Sequence, residues 1–334
     1  MKKIISVFIV TILVICSLTA CNKESTPSVE NVSENSSRKL SIVTTIFPEY
    51  DWVTQILGDT AENADVTMLL DNGVDLHSFQ PTAEDIMKIS TCDLFIYVGG
   101  ESDEWVEDAL KETTNKDMIV INLLDVLGDS VKEEEVVEGM QPEDEEEDEE
   151  EEEEEPEYDE HVWLSLRNAE ILCGSIADSL VKADSQNADT YKNNFENYKT
   201  RLSELDKKYE ETVSTAKTKT LLFGDRFPFR YFTDDYGLEY YAAFVGCSAE
   251  TEASFETITF LAKKADELSL NSVMTIEGDN HKIAETIVSN TKSKNQKILT
   301  LDSMQATTSK DVENGTTYLS IMTDNLSVLS EALN

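Results

Sequence analysis

Residues 187–213 contain neither proline nor glycine, and Tyr191, Phe195, Tyr198, Leu202 and Leu205 recur there at alternating steps of four and three. That spacing lines one face of a helix, so the stretch predicts a single long amphipathic helix. On its N-terminal side, β-branched apolar runs at residues 40–46, 66–70, 94–98 and 118–123 read as strands. They alternate with helical patterns at 50–57, 82–89 and 104–110. Thr82 is a candidate N-cap, with Asp85 three residues on. A helix resumes at Arg167. Beyond the long helix, residues 220–223, 240–244, 272–276 and 297–301 read as strands with helices between them. Strands alternating with helices imply parallel βαβ units with right-handed crossovers. The chain is therefore expected to be α/β, with two βα lobes carrying parallel sheets and joined by one long rigid helix.

The N-terminus is a separate matter. Lys2 and Lys3 precede a 13-residue apolar run, residues 4–16, too short for the ~20 residues of a membrane span. Leu18-Thr19-Ala20-Cys21 looks like a bacterial lipobox, in which the Cys21 thiol carries a lipid. The segment after it is polar, rich in Ser and Asn, and cannot bury enough apolar surface to offset its ordering entropy. The expected organisation is a lipoprotein signal peptide over 1–20 and a flexible tether over 21–39. A first lobe spans 40–184, with an acidic insertion lacking regular structure over 126–159. The linking helix occupies 185–216 and the second lobe 217–334. The expected location is extracytoplasmic, lipid-anchored to a bacterial membrane.

The formal charge of −41 excludes nucleic acid as a partner, because phosphate binding needs a basic face. Residues 143–155 are an unbroken acidic run, taking 13 of those charges and leaving −28 for the rest. Clustered like charges repel, so regular structure is not expected there. Cys92, Cys173 and Cys247 are far apart and lack C-x-x-C spacing. They read as buried free thiols, not a disulfide framework.

Three histidines occur, His77, His161 and His281. His77 follows a predicted strand, and ligands in open α/β sheets gather at the carboxyl ends of strands. His161 stands at the end of the acidic run. Asp302, Asp225 and Glu277 also follow predicted strands. Imidazole with carboxylate suits zinc, manganese or iron, but spacing alone does not assemble these five residues into one site. An Asp or Glu after a strand is also a common helix N-cap. His281, at a helix start, reads as surface-exposed.

Several ordered motifs carry a resemblance. Gly73-Val-Asp-Leu-His-Ser-Phe-Gln-Pro-Thr, Asp93-Leu-Phe-Ile-Tyr-Val-Gly and Trp105-Val resemble the first lobe of the zinc/manganese solute-binding lipoproteins of metal ABC importers. His161-Val-Trp-Leu-Ser is similar to their second-histidine motif, and Phe229-Arg-Tyr-Phe with Tyr236-Gly-Leu to the helix after their third ligand. Ser248-Ala-Glu-Thr-Glu-Ala-Ser resembles their acidic loop, Leu301-Asp302 their final aspartate, and Tyr318-Leu with Met322 and Asn325-Leu their closing helix. The likeness covers nearly all of the chain after the tether.

What the resemblance implies is a metal site between the lobes, with His77, His161 and Asp302 as ligands. Counting back from Tyr236, the third-ligand position holds Arg226, which cannot coordinate a cation. Asp225 after a one-residue shift, Glu277, or water would complete the shell, and Arg226 would pair with a carboxylate. The implied function is capture of a divalent transition metal and its delivery to an ABC importer permease, without catalysis, by a monomer. Zinc is favoured over manganese because the charged insertion resembles zinc-binding members. One alternative is a surface adhesion or interaction protein with an impaired metal site. The other is a zinc hydrolase, against which the absence of H-E-x-x-H and G-x-S-x-G counts.

Overall fold

The computed structural model describes residues 38–141, 157–248, 252–278 and 280–334. The expected leader, most of the tether with Cys21, and the acidic run 143–155 lie outside the described residues. The first lobe comprises β1 (Leu40–Thr44), α1 (Phe47–Leu57), β2 (Ala64–Met68), α2 (Ala83–Thr91), β3 (Leu94–Tyr97), α3 (Trp105–Lys111), β4 (Ile119–Asn122), α4 (Leu123–Leu127) and α5 (Leu166–Ala183). Helix α6 (Ala188–Ser214) follows, 27 residues long. The second lobe comprises β5 (Thr220–Phe227), α7 (Arg230–Tyr236), β6 (Glu239–Val245), α8 (Phe255–Glu267), β7 (Ser272–Thr275), α9 (Lys282–Asn290), β8 (Lys297–Thr300), α10 (Ser309–Glu313) and α11 (Tyr318–Ala332). Each lobe has one parallel four-stranded sheet, ordered β2-β1-β3-β4 and β6-β5-β7-β8. The sequence period of these strands is thus realised as two βα lobes. The Thr82 cap forms with Asp85 as a reciprocal capping box.

Helix α6 is fastened to both lobes. Tyr198 donates to the Asp51 carboxylate of α1 at 3.4 Å, and Asn194 to the Ile56 carbonyl at 2.9 Å. Further along, the Tyr209 hydroxyl donates to the Met322 carbonyl of α11. Its ring stacks on Tyr236 at 5.2 Å between centroids. One hydrophobic core runs from both faces of the first sheet through α5 and α6 to β5, α7 and α11. A smaller cluster lies between the second sheet, α8 and α9. Trp52 meets Tyr318 edge to face, Tyr318 donates to the Trp163 carbonyl at 2.7 Å, and the Trp163 indole donates to the Ser303 carbonyl at 2.9 Å. A shared, densely packed interior of this kind resists wide opening of the two lobes.

The expectation of no regular structure over 126–159 fails at both flanks. Residues 123–130 are helical, and Glu133 bridges Tyr158. The flank then docks on the second lobe. Lys132 pairs with Asp234 at 2.7 Å, Arg230 binds Glu135 and the Glu133 carbonyl, and the Gln141 amide donates to Ala243 at 2.9 Å. These anchors lie about a hundred residues away in sequence, so local periodicity does not reveal them. Strand β5 also runs past residue 223, through a bulge that carries Asp225 and Arg226 inside the strand.

Glu49 is fully buried beneath β1, accepting from the amides of Thr45 and Ile46. Burial, with Asp103 as a second contributor, pushes its pKa up to about 8. Its folded pKa lies above its unfolded value of 4.5, so its stabilising contribution is full below pH 4.5 and lost as pH rises through 8. Glu49→Gln, which mimics the neutral acid, should flatten the loss of thermal stability between pH 5 and 8, retaining a few kcal/mol at the alkaline end. Melting curves across that range check this.

Candidate metal centre

His77 sits in the loop after β2, on a single turn spanning Leu76–Ser78. Asp75 caps that turn by accepting the His77 amide at 3.1 Å. The His77 ring is oriented through Nδ1, 2.7 Å from Ser102 Oγ and 3.4 Å from Glu160 Oε2. This leaves Nε2 pointing inward. His161 precedes the turn Val162–Leu164 and is completely buried. Its Nδ1 lies 3.0 Å from Asp159 Oδ1, which also accepts the His161 amide at 2.8 Å. A carboxylate accepts only from a protonated nitrogen, so a proton is on Nδ1 and Nε2 is the atom turned toward His77. A carboxylate behind a histidine in this way is what fixes a metal-ligating imidazole in metal sites generally.

The two Nε2 atoms are 3.2 Å apart. Two nitrogens bound to one tetrahedral zinc at ~2.05 Å each stand roughly 3.3 Å apart, so the pair is already spaced for a shared ion. The Cys247 sulfur lies beside this pair. Among the described residues, His77, His161 and Cys247 form the one set of three or more His, Cys or carboxylate ligand atoms lying within 4.8 Å of one another. Cys247 follows β6, and its amide donates to Glu134 of the docked flank at 3.2 Å. Preceding it, Gly246 lies so close to the His161 ring that an added Cβ would stand 2.9 Å from Cε1.

Arg226 behaves as a strap and not a ligand. Its guanidinium binds Asp75 at 2.6 Å and donates to the Ser248 carbonyl at 3.3 Å. It thereby joins the loop of His77 to the loop of Cys247. The expected carboxylate partner is found in Asp75. Burial alone would raise the Asp75 pKa, but Arg226 outweighs it and holds the carboxyl below its usual range. His77 is pushed down to about 3 by burial and then by neighbouring His161. Burial also works against protonation of His161, yet Asp159 prevails and raises it. The site therefore presents His77 as neutral imidazole at ordinary pH, the form that binds metal.

The three carboxylates expected as ligands do not join this cluster. Asp302 accepts the Met304 amide at 2.7 Å, and burial followed by Glu277 pushes its pKa up to about 7. Glu277 receives Ser303, Gln305 and Ala306. Asp225 accepts the amides of Arg226 and Ile276. Both oxygens of Glu277 and of Asp225, and one oxygen of Asp302, are turned into backbone amides of their own neighbourhood, where they order loops. His281 is half-buried instead of exposed, with Nδ1 enclosed and Asp225 near enough to feel its charge. Cys92 and Cys173 are buried as expected, whereas Cys247 is only partly so. Without C-x-x-C spacing nothing in the sequence distinguishes Cys247 from the other two thiols, although it follows a strand as His77 does.

Two parallel-sheet lobes sharing one core, with imidazoles meeting between them, form the architecture of metal-type solute-binding proteins. The chain belongs to the family described as zinc-uptake complex component A periplasmic, whose model matches residues 42–332. It is 31% identical over 295 residues to the zinc-binding protein AdcA of Streptococcus pyogenes, covering 87% of this chain and 55% of that protein. The chain thus spans about half the length of that streptococcal relative. Identity to the high-affinity zinc uptake system protein ZnuA of Bacillus subtilis is 31% over 316 residues, covering 95% of this chain and 93% of that one. Among solved structures, the Zn(II)-bound ZnuA-like domain of Streptococcus pneumoniae AdcA is similar at 28% identity and a TM-score of 0.67, covering 88% of this chain and 99% of that one.

Proposed function

We propose that this protein captures a divalent transition metal, zinc before manganese, outside the cell and delivers it to an ABC importer permease, with no catalytic step. The observation that carries the reading is the 3.2 Å approach of the His77 and His161 Nε2 atoms. Each is held from behind by its own hydrogen bond, and burial keeps His77 neutral at ordinary pH. The zinc-binding relatives and the family support zinc as the cargo. A pair of imidazoles poised in this way favours binding over a purely adhesive role. Anchoring through lipid on Cys21 and a monomeric state belong to the same reading. Native mass spectrometry of the purified protein, titrated separately with zinc and manganese, tests it. One tightly held ion per chain, with zinc displacing manganese, supports the reading, and absence of any stoichiometric ion refutes it.

The acidic run 143–155 belongs to the capture step, since 13 carboxylates raise the local cation concentration and speed encounter. Deleting it should slow zinc association most at low ionic strength, where screening is weakest, and leave one tight site. Stopped-flow kinetics at two salt concentrations measure this, and unchanged rates in both would remove the run from the mechanism.

A further inference from the structure

We infer that Cys247 is the third protein ligand of the captured metal, binding as thiolate and completing a His77–His161–Cys247 site. The inference rests on the metal-capture reading above and adds to it the nature of the third donor. Three independent placements lead to the same sulfur. Its Sγ lies within 4.8 Å of both imidazole donors, the only cysteine among the described residues to do so. The loop that carries it is pressed onto the His161 ring at Gly246, where a Cβ would come within 3.1 Å of Nδ1. A larger residue at 246 would drive the thiol away from the imidazoles. The loop is also fixed on its other side. Arg226 holds the Ser248 carbonyl, and Glu134 receives the Cys247 amide.

Arg226 therefore has a positioning role. The residue that cannot itself coordinate cation is the one that ties the Cys247 loop to Asp75, and through the Asp75 cap to the turn of His77. Glu277 and Asp225 are engaged by backbone amides, Asp302 stands outside the cluster of donor atoms, and the sulfur supplies the anionic donor in their place. On metal binding the thiol proton leaves for solvent and the sulfur lone pair forms the bond, with no change of oxidation state. A thiolate suits zinc and discriminates against manganese, which prefers oxygen ligands. A soft donor thus sets the metal preference that a carboxylate would have left open.

X-ray absorption at the zinc edge of the protein loaded with one equivalent of zinc tests this. The expected spectrum has one sulfur at about 2.3 Å beside nitrogen or oxygen neighbours at about 2.0–2.1 Å. In Cys247→Ser the sulfur shell should vanish, one zinc should remain, and its affinity should fall by more than the roughly 10–100-fold typical of losing an outer-shell partner. The preference for zinc over manganese should narrow with it. Should Cys247→Ser not fold, the sulfur shell retained in the Cys92→Ser, Cys173→Ser double variant assigns the thiolate. A zinc-loaded wild type with only nitrogen and oxygen neighbours overturns the inference and leaves metal capture standing. A sulfur shell that persists in Cys247→Ser overturns it as well. Failure to load zinc at all overturns both.

Discussion

Replacing His77 and His161 together by alanine should abolish tight metal binding, and with it the zinc-dependent gain in thermal stability. A ligand present at ~1,000 times its Kd stabilises the folded state by about 4 kcal/mol. The wild-type protein should therefore melt several degrees higher with excess zinc, and the double variant should not respond. The two substitutions differ in what else they disturb. His77 is about 10% exposed at its side chain and its ring contacts Ser102 and Glu160, so its removal deletes a donor and also releases those two partners. His161 is completely buried and accepts the company of Asp159, so its loss also leaves a carboxylate without its partner. His77→Ala alone is the milder variant, expected to lower the melting temperature of the metal-free protein less than His161→Ala does. Differential scanning calorimetry with and without zinc separates the two effects.

The second large effect is expected at Arg226. Its ion pair with Asp75 is mostly buried, with side-chain exposures of 19% and 23%. Breaking such a pair from one side leaves an uncompensated carboxylate, and partial solvent access reduces the usual penalty to about 2–3 kcal/mol. Arg226→Ala should therefore lower stability by about that amount while the protein still binds one zinc, more weakly, because the Ser248 carbonyl and the Asp75 cap are both released. Arg226→Lys should recover only part, since an ammonium does not reproduce the planar fork that reaches both partners. Denaturant unfolding gives the stability term, and competition with a metal indicator gives the affinity. A variant that loses all metal binding would mean that Arg226 contributes more than position.

Much of the fold was legible because it is written in local periodicity. The three-and-four spacing of Tyr191, Tyr198, Leu202 and Leu205 is the buried face of α6. Short β-branched runs became the strands of two parallel sheets. His77 and His161 were legible as candidate ligands, which the fold brings together, and Arg226 as the partner of a carboxylate. The rest depends on long-range closure. Cys247 meets His161 across 86 positions of chain, and no spacing announces that meeting. The flank at residues 131–141 holds its shape through Arg230, Tyr231 and Ala243, all in the other lobe. Asp225, Glu277 and Asp302 follow strands as ligands would. Each instead satisfies nearby amides, a competing use of the same side chain that sequence alone does not distinguish.

Anomalous diffraction from crystals grown with zinc, recorded on both sides of the zinc absorption edge, tests metal capture between the lobes most directly. The expected result is one strong peak per chain, about 2.0–2.1 Å from Nε2 of both His77 and His161. A peak found only at surface carboxylates, or no peak near the two imidazoles, would contradict the assignment of this cleft as the metal-binding site.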